Sequence, residues 1–449
     1  MLRDIVVAAG EVQSGRNLQL RHPGSPAGGS GRFQNIFRAL RYRNYRLFFF
    51  GQGISLIGTW TQQIALGWLV FRLTGSTVLL GTVAFCNQVP TLVLGPFAGV
   101  CADRFDRKQL LLLTQGLAMV QAFVLAGLVL GGMISSWEIV ALSLVMGIIN
   151  AFDIPVRQSF VLAMVDNRED LGNAIALSSA MFNGARLIGP AIAGIIISAF
   201  GEGICFLING FSFVAVLVAL LAVKVSDRPG RGAKGRVYSE FREAVVYARG
   251  FEPIIAILAM LSLFALAGSP YIVLMPAFAK NVLGGNASTY GLLMSSSGLG
   301  AVAGTIYLAS RRNAHGLIKV IPVSVGLFGA AIAAFALSHT FSICMFFLFL
   351  AGFSMMIQIA SSNTIIQTVV DEDKRGRIMS LYAMSLMGVM PFGSLLAGSL
   401  AGALGVRNTL LAGALICFAG AAVFARRLSR LGRILQPLFA RIEAGAGEP

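Results

Sequence analysis

The sequence predicts an all-α integral membrane protein of twelve transmembrane helices, arranged as two six-helix halves related by pseudo-twofold symmetry, with both termini cytoplasmic. Three observations predict this fold class: a composition too apolar for a soluble protein, twelve apolar runs of membrane-spanning length, and an unequal distribution of basic residues between alternate loops. Together they indicate a chain that crosses a lipid bilayer repeatedly.

The composition excludes an ordinary soluble protein. Hydrophobic residues make up 56% of the 449 residues and charged residues only 12%, whereas roughly 25% of residues are charged in a typical soluble domain. A soluble chain this apolar would expose large apolar patches and aggregate. The net charge of +16 comes from basic residues that flank the apolar runs. We therefore attribute it to membrane topology and expect no nucleic-acid partner.

The sequence contains no pattern typical of a metal, redox or nucleotide-hydrolysing site. No C-x-x-C pair is present, so we expect neither disulfides nor a metal or other cofactor. A GxxxxGK[ST] loop is also missing, which argues against ATP hydrolysis by this chain. The histidines are scattered and give no catalytic constellation, so an enzyme is not expected. The cysteines, all within or at the ends of apolar runs, are Cys86, Cys101, Cys205, Cys344 and Cys417.

The first 45 residues are predicted to lie outside the bilayer core. Residues 1–33 are polar and rich in Gly, Ser and Pro, which predicts a disordered cytoplasmic tail without a cleavable signal peptide. Residues 34–45 alternate apolar residues at helical spacing with arginines, which indicates a basic juxtamembrane amphipathic segment. A simple basic flank of the first membrane helix is an equal alternative.

Twelve apolar runs reach the roughly 20 residues that a bilayer core of about 30 Å requires. A polar linker, 224–253, divides them into an N-terminal half, 46–223, and a C-terminal half, 254–426. Residues 427–449 then form a basic cytoplasmic tail. The runs, numbered span 1 to span 12, are 46–71, 77–101, 109–131, 137–162, 173–199, 203–223, 254–279, 287–309, 317–338, 341–367, 376–402 and 406–426.

Loop charges set the predicted orientation. Each loop assigned to the cytoplasm, counted with the flanking turn of its spans, carries two or more Lys or Arg, among them Arg157 and Arg168 between spans 4 and 5. The loops assigned to the outside carry at most one, namely Arg72, Lys280 or Arg407. The positive-inside rule then places both termini in the cytoplasm. We expect a multi-pass protein of the inner (plasma) membrane.

The two halves resemble each other in sequence. Residues 175–201 of span 5 align with residues 379–405 of span 11 at a constant offset of 204, with Leu, Ala and Gly at matching positions. A parallel repeat of six spans is typical of transporters whose substrate site lies between the halves, near the bilayer midplane.

The loop between spans 2 and 3 concentrates charge between two apolar runs. We call this loop, Gly99–Gln109, the hairpin. Its pattern resembles the signature of the major facilitator superfamily: Gly, three residues, Asp-Arg, one residue, Gly, then two basic residues. The chain is similar, over about residues 34–425, to the branch that includes enterobactin exporters and macrolide-type efflux proteins. The matching positions are Gly99, Asp103, Arg104, then Asp106 in place of the glycine, then Arg107 and Lys108.

The resemblance implies a cytoplasmic gate. In the family, the signature aspartate, here Asp103, faces the start of helix 11, where a carboxylate gains about 0.3–1 kcal/mol from the helix dipole. An arginine of the signature pairs with an acidic residue of helix 4, for which Asp153 is the candidate, with Arg157 one turn further on. Such a cluster would hold the cytoplasmic side closed in the outward-facing state. The alternative is that these charges only fix the topology.

Span 5 carries a second pattern of the family. Gly189, Pro190 and Gly194 resemble the antiporter signature of helix 5, which implies export. Small residues would let spans 5 and 8 approach closely, and the proline would bend the helix. Ordinary packing of small residues is the alternative.

Polar side chains within the spans are candidates for a substrate cavity, because lipid cannot satisfy them. An arginine near mid-span, Arg186, costs about 2.5–3.5 kcal/mol on insertion scales, so it should point into the bundle. It could bind an anionic group of the substrate, pair with Asp153, or cap carbonyls near the bend at Pro190. The other candidates, each also open to a role in hydrogen bonding between helices, are Gln62, Gln63, Asn87, Asn150, Asn183 and Gln358.

The predicted function is that of a secondary active transporter that exports small amphipathic molecules, of the drug or siderophore class, by alternating access as a proton antiporter. The expected partners are a small-molecule substrate, protons and the lipid bilayer, and the chain is expected to work as a monomer. Asp153 is the carboxylate that lies well inside an apolar run, and it is assigned to the gate. No dedicated proton carrier is therefore identified. The alternatives are an uptake symporter of the same fold and a membrane scaffold or partner subunit without transport activity.

Overall fold

A computed structural model describes residues 37–165, 167–224, 237–310 and 316–445. Within these ranges, twelve helices are long and apolar enough to cross a membrane, which confirms the predicted spans. The predicted tail 1–33 lies outside the described residues. Spans 1 to 12 run over Arg43–Thr74, Thr77–Arg104, Arg107–Leu130, Ser136–Ala163, Arg168–Phe200, Glu202–Ala222, Glu252–Asn281, Ala287–Ala309, Leu317–Leu337, Phe341–Val369, Lys374–Leu404 and Val406–Gly445.

Polar caps and glycines fix where the spans begin and end. Span 1 closes at Gly75, whose φ of 62° lies in the left-handed region that favours glycine. The side chain of Ser76 then accepts from the backbone N–H of Leu79 at 3.2 Å, which starts span 2. Asn286 starts span 8 in the same way, at 3.1 Å from the N–H of Thr289. Tight reversals of this kind keep consecutive spans antiparallel.

Spans 7 and 11 are each interrupted by one π-helical turn. The turns cover Phe264–Gly268 and Met384–Gly388, and proline follows each of them at Pro270 and Pro391. The extra residue in a π-helical turn redirects the helix, and such turns occur frequently at functional sites. Here they lie near the middle of the two spans.

The N-terminal ends of spans 1 and 5 are fastened together. Residues Arg38–Arg41 form a single 3-10 turn, and the helix of span 1 begins directly after it. Asp170, at the start of span 5, pairs with Arg41 at 2.5 Å and accepts from the Tyr42 hydroxyl at 2.8 Å. The backbone N–H of Ala39 donates to Asn173 at 2.9 Å. Within the predicted segment 34–45, residues 39–42 are thus bound to span 5 and lead into span 1.

The linker contains a helix, Val237–Gly250, that packs against the start of span 11. Glu243 of this helix pairs with Arg377 at 2.6 Å. The Tyr247 hydroxyl donates to Asp371 at 3.4 Å, and the Lys374 ammonium lies 4.7 Å from the Tyr247 ring centre. Burial and the Asp371 carboxylate raise the pKa of Tyr247. The linker helix therefore belongs with the C-terminal half.

Two further contacts bring helix ends to the face that carries the hairpin, which we call the hairpin face. Lys224, after span 6, exchanges two hydrogen bonds with Asn44 at the start of span 1, at 3.0 and 3.2 Å. Span 12 continues as one helix to Gly445, well past the predicted end at 426, and its Arg430 pairs with Glu252 at the start of span 7 at 2.7 Å. The predicted pseudo-twofold relation and cytoplasmic termini stay predictions.

Candidate functional site: the cleft between the two halves

The two halves meet through close-packed glycines near the face opposite the hairpin. A Cβ atom added at Gly291 of span 8 would lie 2.3 Å from the Pro190 carbonyl oxygen and 3.0 Å from the Gly194 Cα in span 5. A Cβ at Gly81 of span 2 would lie 2.7 Å from a carbonyl oxygen of span 11 and 3.1 Å from the Gly398 Cα. Only glycine allows backbones to approach this closely. Spans 5 and 8 thus come together as their small residues predict, and spans 2 and 11 do the same.

The same helices lack such contacts toward the hairpin face. A Cβ atom added at Gly95 or Gly99 of span 2, at Gly172 of span 5 or at Gly376 of span 11 would meet no atom within 4 Å. The described contacts between the halves therefore end part-way along the spans. We infer a cleft between the halves that opens to the hairpin face.

Arg186 lies where the contact between the halves ends. Its carbonyl oxygen is 3.0 Å from a Cβ atom added at Gly298 of span 8. Its guanidinium Nη2 lies 3.9 Å from Met355 Sδ of span 10, in the other half, and its Cζ lies 6.0 Å from the Trp60 ring centre. Among the residues that the structure describes, no carboxylate pairs with this guanidinium. Arg186 is thus a half-buried cation at the closed end of the cleft.

Aromatic side chains adjoin Arg186 on the hairpin side. Phe182, one turn earlier on span 5, stacks edge-to-face on Trp60 with ring centres 5.8 Å apart and remains 45% exposed. On span 1, Trp60 and the exposed Gln63 share a helical face with Gly67, whose added Cβ would lie 3.1 Å from the Tyr290 hydroxyl of the other half. On the face of span 1 that meets the C-terminal half, Trp60 is therefore half-buried and Gln63 is exposed.

Gln62, a predicted cavity residue, instead takes part in a buried network inside the N-terminal half. Its amide nitrogen donates to Gln121 of span 3 at 3.1 Å, and its amide oxygen accepts from Asn209 of span 6 at 2.8 Å. The network joins three helices, and Gln121 extends it to a fourth by donating to the Leu142 carbonyl oxygen of span 4 at 3.3 Å. Gln121 and Asn209 were not among the predicted site residues, although a single amide in the middle of an apolar run indicates hydrogen bonding between helices.

Asn183, Asn87 and Gln358 also bind within their own half. Asn183 donates to the Ser179 carbonyl of its own helix at 2.9 Å, and Asn87 donates to the Ser143 carbonyl of span 4 at 3.5 Å. Gln358 is fully buried and accepts from the Ser324 hydroxyl at 3.5 Å. Asn150 is half-buried. The predicted candidates that the structure brings to the cleft are thus Arg186 and Gln63.

Asp106 caps a helix in the hairpin. It stands where the family pattern has glycine, with a φ of −60° that any residue adopts, and its Oδ1 accepts from the Gln109 backbone N–H at 2.9 Å to start span 3. The departure from the pattern therefore leaves the turn intact. Arg104 is exposed and Arg107 is half-buried. The side chain of Asp103 lies outside the described residues, so its contact with span 11 stays a prediction.

Lys108 fastens the hairpin to the end of span 6. Its ammonium donates to the carbonyl oxygens of Val223 at 2.7 Å and Leu221 at 3.3 Å. These carbonyls end a helix and have no partner within it. A cation at a helix C-terminus also interacts favourably with the helix dipole, so this residue of the signature stabilises the N-terminal half.

Replacing Lys108 with methionine is expected to lower the free energy of unfolding by about 0.5–1 kcal/mol, because it removes the donor to the last carbonyls of span 6. The variant Lys108→Arg should retain most of this stability. Thermal unfolding of the purified protein in detergent measures the effect. Lys319→Met, at an exposed lysine, is the matched control, and an equal loss in both methionine variants would contradict the capping role.

Asp153, the predicted helix 4 partner of the gate, is only 4% exposed and is bound by three side chains of its own half. Its Oδ1 accepts from the Thr114 hydroxyl at 2.8 Å and from the Gln115 amide at 2.7 Å, both on span 3. Its Oδ2 lies 3.6 Å from Arg157 Nε, one turn along span 4. None of these partners belongs to the hairpin, and Arg186 is engaged elsewhere. In this conformation Asp153 joins spans 3 and 4.

No group of three or more His, Cys, Asp or Glu that could hold a metal ion occurs among the described residues.

Comparison with known proteins identifies the family. A family model described as transmembrane secretion effector matches residues 35–434. The Staphyloferrin A transporter of Staphylococcus aureus is 27% identical over 81% of this chain and 91% of its own length. Macrolide efflux protein A of Streptococcus pyogenes is 23% identical over 84% of this chain and 95% of its length. The Enterobactin exporter EntS of Citrobacter koseri is 26% identical over 82% and 87%, respectively.

Solved structures with the same fold include two transporters. The nucleoside transporter NupG matches with a TM-score of 0.68 at 12% identity, over 85% of this chain and 98% of that chain. A bacterial homologue of the iron transporter ferroportin in an inward-facing state matches with a TM-score of 0.67 at 18% identity, over 86% and 99%. Since the family match spans most of the chain and includes the hairpin and both halves, the protein belongs to the transmembrane secretion effector family and is a multi-pass transporter of the major facilitator superfamily.

Proposed function

We propose that the protein is a secondary active exporter of small amphipathic molecules that works by alternating access. The observation that carries this proposal is the cleft, which is closed by packed glycines near one face and open toward the hairpin face. Under the predicted topology the hairpin face is cytoplasmic, so this conformation corresponds to the inward-open state of the cycle. The efflux-type relatives support export as the direction. We place the protein in the inner (plasma) membrane as a functional monomer.

Proton antiport is the coupling that we propose. Three carboxylates near or within the described spans are buried, and each pairs with an arginine. Asp153 lies well inside a span, and its pair at 3.6 Å is longer than the other two, at 2.5 and 2.6 Å. Asp153 is therefore the carboxylate that we propose couples export to proton entry. The three pairs are Asp153 with Arg157, Asp170 with Arg41 and Glu202 with Arg72.

The function is tested with inverted membrane vesicles from cells that express the full chain, over a panel of drug and siderophore compounds. We expect a substrate to accumulate in vesicles that are acidic inside and to leave when the pH gradient is collapsed. The variant Asp103→Asn, inserted to the same level, should lose at least ten-fold in rate if the hairpin forms the gate. Accumulation that survives collapse of the gradient would contradict antiport, and proton-driven accumulation in right-side-out vesicles would identify a symporter instead.

A further inference from the structure

Among the described residues, no carboxylate pairs with the guanidinium of Arg186, in contrast to Arg72 at the end of span 1 and Arg157 within span 4. Arg72 and Arg157 each pair with a carboxylate, Glu202 and Asp153. The guanidinium of Arg186 meets only the Met355 sulfur and the face of Trp60 among the described residues. A cation at this depth is costly unless water or an anion accompanies it. Because Arg186 lies at the closed end of the cleft, a ligand bound in the cleft can supply that anion.

The structural alternative, in which Arg186 caps carbonyls at the bend near Pro190, is not what the described contacts show. The hydrogen bond of the guanidinium goes to Met355 of the opposite half, not to a carbonyl oxygen of span 5. A sulfur atom is a weak acceptor, and several donors of the guanidinium remain available. The side chain is held across the seam between the halves and can still bind a stronger acceptor.

The neighbours of Arg186 favour a ligand with an aromatic ring next to its anionic group. Phe182 lies one helical turn from Arg186, which places the two Cβ atoms about 5–6 Å apart. Its ring is half-exposed on the hairpin side and is supported by the edge-to-face contact with Trp60. An aryl carboxylate matches the spacing between Phe182 and Arg186, because its ring can contact Phe182 while its carboxylate binds the guanidinium. Carboxylate and guanidinium form paired, charge-assisted hydrogen bonds.

We propose that the cleft binds aromatic anions, with Arg186 holding the anionic group and Phe182 and Trp60 forming the apolar wall. This proposal rests on the proposed export function and names its substrate class. A neutral compound of the same shape can occupy the aromatic wall but leaves the guanidinium without a counter-ion. The site therefore selects a carboxylate over the corresponding amide.

The test uses the purified full chain in lipid nanodiscs with two probes of one shape, 1-naphthoate and 1-naphthamide. Isothermal titration calorimetry at neutral pH should give at least ten-fold tighter binding of the carboxylate, the scale expected for a charge-assisted hydrogen bond. Arg186→Gln should abolish this preference, and Arg186→Lys should restore part of it. Phe182→Ala should weaken both probes by a similar factor. Equal binding of the two probes to the unchanged protein would overturn the proposal, and this comparison requires no variant to fold.

Equilibrium binding separates this proposal from the export function. Selective binding of the carboxylate without transport in vesicles would retain the anion site and contradict the exporter. Export of neutral compounds at an unchanged rate by Arg186→Gln, together with equal binding of both probes, would retain the exporter and contradict the anion site.

Discussion

Replacing Gly291 with leucine is expected to reduce transport at least ten-fold while the protein still inserts into the membrane. The new Cβ atom would lie 2.3 Å from the Pro190 carbonyl oxygen and 3.0 Å from the Gly194 Cα, so spans 5 and 8 could no longer pack. Overpacking of this kind costs roughly 1–3 kcal/mol, which shifts an equilibrium between two conformations about five- to hundred-fold. Gly291→Leu destabilises the conformation that is closed at the face opposite the hairpin by this amount. Transport requires that conformation, so the cycle stops.

Transport assays and cysteine labelling check this result together. A cysteine at Gly67, in a background without the native cysteines, faces Tyr290 of the other half and should be labelled slowly. Gly291→Leu should accelerate its labelling by opening this seam. Gly127→Leu on span 3 is the matched control, because a Cβ atom there meets nothing within 4 Å. Slow labelling and full transport in Gly291→Leu would show that the glycine contact is dispensable.

Asp153→Ala is expected to lower the free energy of unfolding by about 3 kcal/mol. The carboxylate is buried, and its loss leaves the Gln115 amide and the Arg157 guanidinium without their acceptor, while the Thr114 hydroxyl retains the Leu111 carbonyl oxygen at 3.2 Å. Removing one partner from a buried ionic cluster costs roughly 3–5 kcal/mol, and the partial exposure of Arg157 reduces that cost. Asp153→Asn keeps an acceptor oxygen for span 3 and should lose less.

Chemical denaturation in detergent micelles measures this difference. Asp371→Ala removes a carboxylate from an exposed pair with Lys374 and should change stability by less than about 1 kcal/mol. Comparable losses in the two alanine variants would contradict the buried cluster. The Asp153→Asn variant also addresses coupling, since its export should no longer respond to the pH gradient if Asp153 binds the proton.

The helices were predictable from the sequence because the bilayer imposes a length and an apolar composition on each span. Their ends were less predictable. Span 12 was expected to end at 426 but continues to Gly445, because a helix retains its backbone hydrogen bonds beyond the bilayer where one face still packs. Leu431 and Leu435 are buried against the C-terminal half. The π-helical turns were also missed, although Gly268 with Pro270 and Gly388 with Pro391 marked both positions.

The site was only partly predictable because polar periodicity does not distinguish a cleft from a neighbouring helix. Gln62 and Gln63 are adjacent amides on span 1, yet Gln62 is bound inside the N-terminal half and Gln63 is exposed. Arg186 was identifiable because a buried charge is costly enough to require an explanation. The cap formed by Asp106 was missed because this residue was compared only with the glycine of the family pattern, although aspartate directly before an apolar run is a signal for a helix start.

The guanidinium of Arg186, which pairs with no carboxylate among the described residues, also bears on how many charges one transport cycle moves. Export of a monoanion in exchange for one entering proton moves two elementary charges across the membrane, which yields about 4.6 kcal/mol at roughly 100 mV. That energy supports a concentration ratio of about 2,000, whereas a neutral compound exported for one proton reaches only about 50. With an anion at Arg186, the membrane potential acts on the cargo as well as on the proton. The electrical charge of the substrate then sets how strongly the protein can expel it.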